Sequence, residues 1–218
     1  MKKEILSTFN QIPFFTIEAV KQLYRGEPYS NDSVRKALYR WVKAGHVIQL
    51  KKGVYMTSHF YEQHRSDVNF SATISAILIP QSYVSLEYVL QRHAILSEIT
   101  YPVTAVTIKH ARIIENKLGT FAYRNIKEDL YTGFEIFEYM GIPFSQASLS
   151  KALFDYLYLR PLSRTRLSAD FDLAEELRLN IDDFSEQDQT RFSEFVEISK
   201  SKKMQKILKN FRSTVWRH

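Results

Sequence analysis

Apolar residues recur at i, i+3, i+4 and i+7 through Val34, Ala37, Leu38 and Trp41, the spacing of a helix with one buried stripe. Ser30 or Asn31 caps its start, and Gly45 follows Ala44 as a natural C′ residue, so the pattern predicts a helix ending at Ala44. Upstream, residues 3–11 read as a short helix with Ile5, Leu6 and Phe9 on one face, ended by Pro13. Thr16 then caps a second helix carrying Ile17, Val20, Leu23 and Tyr24 at helical spacing, and RGEPYS forms the turn that follows. Downstream, residues 46–50 and 54–57 alternate like strands around a Lys-Lys-Gly turn. Three short helices and a hairpin are the order of a winged helix-turn-helix, expected over residues 1–58.

Residues 58–69 lose this order and mark the expected domain boundary. From residue 68 to 218 the pattern becomes α+β. Residues 70–78 and 86–96 read as helices, the second capped by Ser85. Residues 103–109, 112–115, 120–125, 134–140 and 142–144 read as strands, with turns at NKLG and Gly141. From Ser148 the chain is helical again, with Leu149, Leu153, Phe154 and Leu157 on one face and two or three helices beyond. The fold class expected is α+β: an N-terminal winged helix-turn-helix followed by a mixed α/β domain that ends in helices.

Charge sharpens this division. Residues 1–58 hold ten Lys/Arg against four acids, residues 59–199 thirteen against twenty, and residues 200–218 seven against none. Basic ends around an acidic middle point to polyanion contact at the ends. Cysteine is absent, which excludes disulfides and thiol catalysis and suits a reducing cytoplasm. No signal-peptide core follows the basic N-terminus, and residues 72–80 are too short a run to span a bilayer, so a cytoplasmic protein with no membrane partner is expected. The tail from Lys200 is basic and amphipathic. Its Met204, Ile207, Leu208, Phe211 and Trp216 are expected to pack on the central domain, leaving a second basic surface.

The outward side of the third helix carries groups that suit a DNA groove. Asn31, Asp32 and Ser33 stand at its N-terminus, where backbone N–H groups meet phosphate. Arg35 and Arg40 are the candidates for bidentate contacts to guanine, and Lys36 and Tyr39 for phosphate. Lys51 and Lys52, at the hairpin tip, are expected on the flanking backbone or minor groove.

Catalytic signals are weaker. The histidines are scattered, and neither a phosphate-cradling glycine loop nor a G-x-S-x-G occurs. Glu115 and Lys117 form a nuclease-like fragment at a strand end, but Glu98 precedes the neighbouring strand and no Asp lies between Asp67 and Asp129. No catalysis, cofactor or metal is expected, and a solvated turn is the better reading.

Three segments together resemble the AbiEi family of antitoxins: ALYRWVKAGHVIQLKKGVYM, PQSYVSLEYVLQRHAIL and ASLSKALFDYLYLR. The chain differs at Ala94, where the family often has Gly, and at Ser150, where it often has Glu. The resemblance covers residues 1 to about 160. It implies an antitoxin of an abortive-infection, phage-defence system that also represses its own operon. The winged headpiece would bind inverted repeats in double-stranded promoter DNA. The functional partner would be a nucleotidyltransferase-like toxin, neutralised through the C-terminal domain with or without a stable complex. The rival readings are a winged-helix repressor without a toxin partner and a Mg²⁺-dependent nuclease-like protein.

Overall fold

The amphipathic stripe of residues 34–41 folds as the sequence predicts. The structure, a computed structural model, describes residues 4–23, 30–97, 102–163 and 171–216. Its first elements are α1 (Glu4–Ser7), β1 (Phe15–Thr16), α2 (Ile17–Leu23), α3 (Asn31–Lys43), β2 (Val47–Lys51) and β3 (Val54–Thr57). Val34, Ala37, Leu38 and Trp41 of α3 are buried. They share a small core with Leu6, Phe9, Phe15, Val20 and Val47. Ser30 Oγ accepts from the Ser33 N–H, and Gly45 (φ 75°) closes the helix as its His46 neighbour donates to Trp41 O at 2.9 Å. Thr16 caps α2, accepting from the Ala19 N–H at 3.2 Å. Strands β1, β3 and β2 form an antiparallel sheet in that order. Tyr24 and the turn at 25–29 lie outside the described residues.

The expected boundary is itself helical. Thr57 caps α4 (Ser58–His64), accepting from the Phe60 N–H at 3.1 Å. A Thr at N-cap and the fully buried Phe60 organise a stretch whose polar composition looks like a loop. Ile48, Leu50, Met56 and Phe60 belong to the main core of the chain, not to the small N-terminal one. One face of the β2–β3 hairpin is therefore shared with the second half.

That half is built on a six-stranded mixed sheet in the order β6–β7–β5–β4–β9–β8. The strands are β4 (Ser82–Val84), β5 (Val103–Thr107), β6 (Arg112–Asn116), β7 (Gly119–Asn125), β8 (Phe134–Tyr139) and β9 (Ile142–Ala147). The helices are α5 (Phe70–Leu78), α6 (Glu87–Arg92), α7 (Leu149–Leu159), α8 (Leu173–Glu176), α9 (Glu186–Ser199) and α10 (Lys202–Thr214). β5 pairs parallel with β7, and β4 parallel with β9, while every other pair is antiparallel. The Tyr123 hydroxyl donates to Ser75 O of α5, whereas the Tyr83 hydroxyl reaches Asp155 of α7. Because Tyr83 and Tyr123 take opposite pleats across the registered strands, α5 and α7 cover opposite faces.

The class is thus mixed α and β, as expected, with some differences in detail. Residues 82–84 form a buried strand too short to show a period, and the second predicted helix stops at Arg92. Ser85 does not cap that helix. Leu86 stands at its N-cap with φ 60° and ψ −141°, and the Ser85 hydroxyl turns inward to Asp155 instead. The tail packs as expected, burying Met204, Ile207, Phe211 and Trp216 and exposing Lys202, Lys206, Lys209 and Arg212. Among the described residues no helix is long and apolar enough to cross a membrane.

An exposed clamp ties the end of α4 to the sheet edge. Tyr139 of β8 donates to Asp67, whose carboxylate also meets His64 Nδ1 at 2.9 Å. Those hydrogen bonds, Tyr139 first and His64 second, hold the Asp67 carboxyl below its ordinary pKa. A folded pKa below the unfolded one gives stability above the unfolded carboxylate pKa that is lost as pH falls through the folded value. Replacing Tyr139 with Phe should move the Asp67 pKa upward, read by carboxyl NMR titration; an unchanged value would remove Tyr139 as the main cause.

The shared core sets a second expectation. Burying four side chains of this size contributes on the order of 6–12 kcal/mol, comparable to the whole stability of a domain. A fragment of residues 68–218 should therefore lack a cooperative urea transition, whereas the full chain keeps one. A sharp native-like transition in the fragment would contradict this.

Candidate nucleic-acid interface

With one stripe of α3 buried, the helix leaves a single free side. Arg35, Lys36, Tyr39, Arg40 and Lys43 are all exposed on it, spread over roughly 12 Å of helix axis at the standard rise. Tyr39 is 68 % exposed, an aromatic ring that belongs to neither core. Arg35 lies 3.8 Å from Asp32, but both side chains are more than two-thirds exposed, so the pair contributes about 0–1 kcal/mol and leaves the guanidinium free to move. At the N-terminus, Asn31 is exposed. The Ser33 N–H is taken by Ser30 Oγ at 3.2 Å, and the Ser33 hydroxyl lies 3.1 Å from that same oxygen. The cap thus commits Ser33, and the N–H groups of Asn31 and Asp32 are those left to meet an anion.

The two hairpin lysines part ways. Lys52 is exposed in the turn with Gly53, at the hairpin tip. Lys51 is the last residue of β2, and its ammonium donates to Ile77 O at 2.8 Å and Leu78 O at 2.9 Å. It caps the C-terminus of α5, where the helix dipole favours a cation. Burial pushes the Lys51 pKa down. The lysine expected at the wing tip therefore points back into the protein, because a bulge between Gln49 and Lys51 changes the strand's alternation.

The β6–β7 turn, not expected at this surface, joins it. The Asn116 side-chain amide donates to Leu50 O at 3.1 Å, bringing the β6–β7 turn against the hairpin. A shallow groove of about 340 Å³ results, in which Lys52 and Gln49 face Glu115 and Lys117, next to Val42 of α3. The nuclease-like fragment thus sits at the hairpin, with Glu115 exposed on β6. Among the described residues no group of three His, Asp or Glu side chains is placed to hold a metal ion. Glu98 lies outside the described residues.

A different kind of site lies inside the second half. Lys151 and Asp155, one turn apart on α7, are wholly buried and meet at 2.5 Å. Asp155 also accepts from Ser85 at 2.8 Å and from Tyr83 at 3.0 Å. The Lys151 ammonium lies 5.0 Å from the Phe154 ring centre and 5.5 Å from that of Phe195. Gly133 (φ 76°) closes the cage: a Cβ there would come within 2.5 Å of Phe195 and 3.1 Å of Lys151. Burial pushes the lysine pKa down and the carboxyl pKa up, and the attraction of the pair opposes both shifts. Tyr83 and Ser85 come from PQSYVSLEYVL and Lys151 and Asp155 from ASLSKALFD, so two segments distant in the sequence meet in this one cluster. No family model matches the chain, and no curated protein matches it.

Removing one partner of a buried pair strands the other charge. Asp155→Ala should cost ~3–5 kcal/mol in denaturant unfolding, while Lys151→Met with Asp155→Leu should cost less than the sum of the single changes. Additive losses would mean that the two charges do not depend on each other.

Proposed function

We propose that the N-terminal unit is a winged helix-turn-helix that binds double-stranded DNA through the free side of α3. The observation that carries this reading is that stripe itself: two arginines, two lysines and an exposed tyrosine on the side of α3 not committed to a core. Arg35 and Arg40 read base edges in the major groove, and Asn31, Lys36 and Tyr39 hold phosphates. Lys52, with Lys117 beside it, touches the flanking backbone, while Lys51 stays at the end of α5. The reading extends, on the resemblance to the AbiEi family, to an antitoxin acting in the cytoplasm that represses its own operon at inverted repeats. Its partner is a nucleotidyltransferase-like toxin neutralised through the second half. The meeting of Tyr83, Ser85, Lys151 and Asp155 in one buried cluster supports that extension. It gives residues of the shared segments a common physical role, as the polar centre that seats α7 on the sheet.

Titration of the full chain on promoter duplexes, by fluorescence anisotropy across salt concentrations, tests the headpiece. Arg35→Ala and Arg40→Ala should each cost ~1–3 kcal/mol and relax sequence preference. Lys52→Ala should weaken binding to all sequences and lower the salt slope by about one, and Lys51→Ala should leave the slope unchanged. Unaltered promoter binding in Arg35, Arg40 and Lys52 variants would overturn the reading. For the antitoxin role, co-expression should restore growth to cells arrested by a nucleotidyltransferase-like toxin encoded in the same operon, and continued arrest would refute it.

A further inference from the structure

A groove of about 550 Å³ lies where the N-terminal unit meets the second half. Phe14 and Val54 line it from one side, Ile77 and Pro80 from α5 and its exit, and Ile142 and Phe144 from β9. Its size falls in the range of small-molecule sites, and its polar lining comes from three residues only: Lys51, Ser82 and Ser145. The Ser82 hydroxyl is committed, donating to Ile79 O at 2.6 Å. Lys51 has three N–H donors and spends two on Ile77 O and Leu78 O, so a third remains. Ser145 registers with Tyr83, so its hydroxyl is carried on the opposite face of the sheet from α5, and Lys51 is left as the polar anchor of the groove.

Charge decides what such a lining selects. The end of α5 carries about half a negative charge, and the ammonium a full positive one, so a net positive field of about half a charge remains. A cationic ligand is repelled, and a neutral one gains a hydrogen bond only. A carboxylate gains a charge-assisted bond in a partly desolvated place. The apolar remainder, Ile77, Ile142 and Phe144 above all, suits a hydrocarbon body.

We propose that this groove binds a small amphipathic monocarboxylate, its carboxylate on the third donor of Lys51 and its hydrocarbon body against α5 and β9. The site does not depend on what α3 binds. Because it takes side chains from both halves of the chain, an occupant would contact both.

Calorimetric titration of the full chain tests it, with decanoate, decanol and decylamine as probes below their aggregation concentrations. Decanoate should bind at one site, about tenfold or more tighter than decanol, with decylamine weakest. A parallel titration with 2-naphthoate separates an aliphatic from an aromatic body, the tighter of the two naming the class. Lys51→Met should bring decanoate down to the affinity of decanol and leave decanol unchanged. Ala76→Trp, which fills the groove and keeps the lysine in the sequence, should abolish binding of both. No saturable carboxylate binding, equal affinity for decanoate and decanol, or decanoate binding undiminished in Ala76→Trp would each overturn the proposal. The comparison among probes and the Ala76 variant decide the matter even if Lys51→Met does not fold.

Discussion

A lysine and an aspartate sealed together on α7 set the terms for the second half of the molecule. Two charges out of water are tolerated only when their remaining hydrogen-bonding capacity is met, and here Tyr83, Ser85 and the aromatic rings around the ammonium meet it. The demand is geometric. It draws β4 and α7 together and leaves room only for a glycine at position 133. A helix apolar all round slides easily on a sheet, and a pair that must find two hydroxyls holds α7 to one position.

The same logic appears at two helix ends. Lys51 caps α5, and Lys203 caps the end of α7, donating to Leu157 O, Tyr158 O and Arg160 O. Each lysine comes from a different part of the chain, so each cap is also a tie. Lys51 and the buried Leu50, Met56 and Phe60 join the hairpin to the main core. The basic side of α3 is thereby mounted on the second half through a packed interface, with a helix instead of a loose linker between them.

Much of this was legible in the residues. The stripe of α3, its serine cap and Gly45 have strong local causes, and the structure follows them closely. The strands around NKLG and Gly141 are legible for the same reason, since turn residues bracket alternating runs. What stayed hidden depended on distant partners. The polar run at 58–69 looks like a loop because Phe60 is its one fully buried side chain, and that side chain packs in a core shared with the other half. Ser85 reads as a cap until Asp155, seventy residues on, claims its hydroxyl. Lys51 and Lys52 are alike in sequence, and only the bulge and the carbonyls of α5 tell them apart. Lys151 and Asp155 left a trace, two opposite charges one turn apart in an otherwise apolar helix, which is the signature of a buried pair.

The claim that the free side of α3 is the DNA-contacting surface is open to direct test because the chain contains no cysteine. A single cysteine placed at Lys36 can carry a tethered iron chelate that cuts any DNA within its reach, and one at exposed Glu175 on α8 serves as the distant control. The account predicts cuts clustered within each promoter half-site from position 36 and none from position 175. Cuts from position 175 with none from position 36 would place the DNA elsewhere and contradict it.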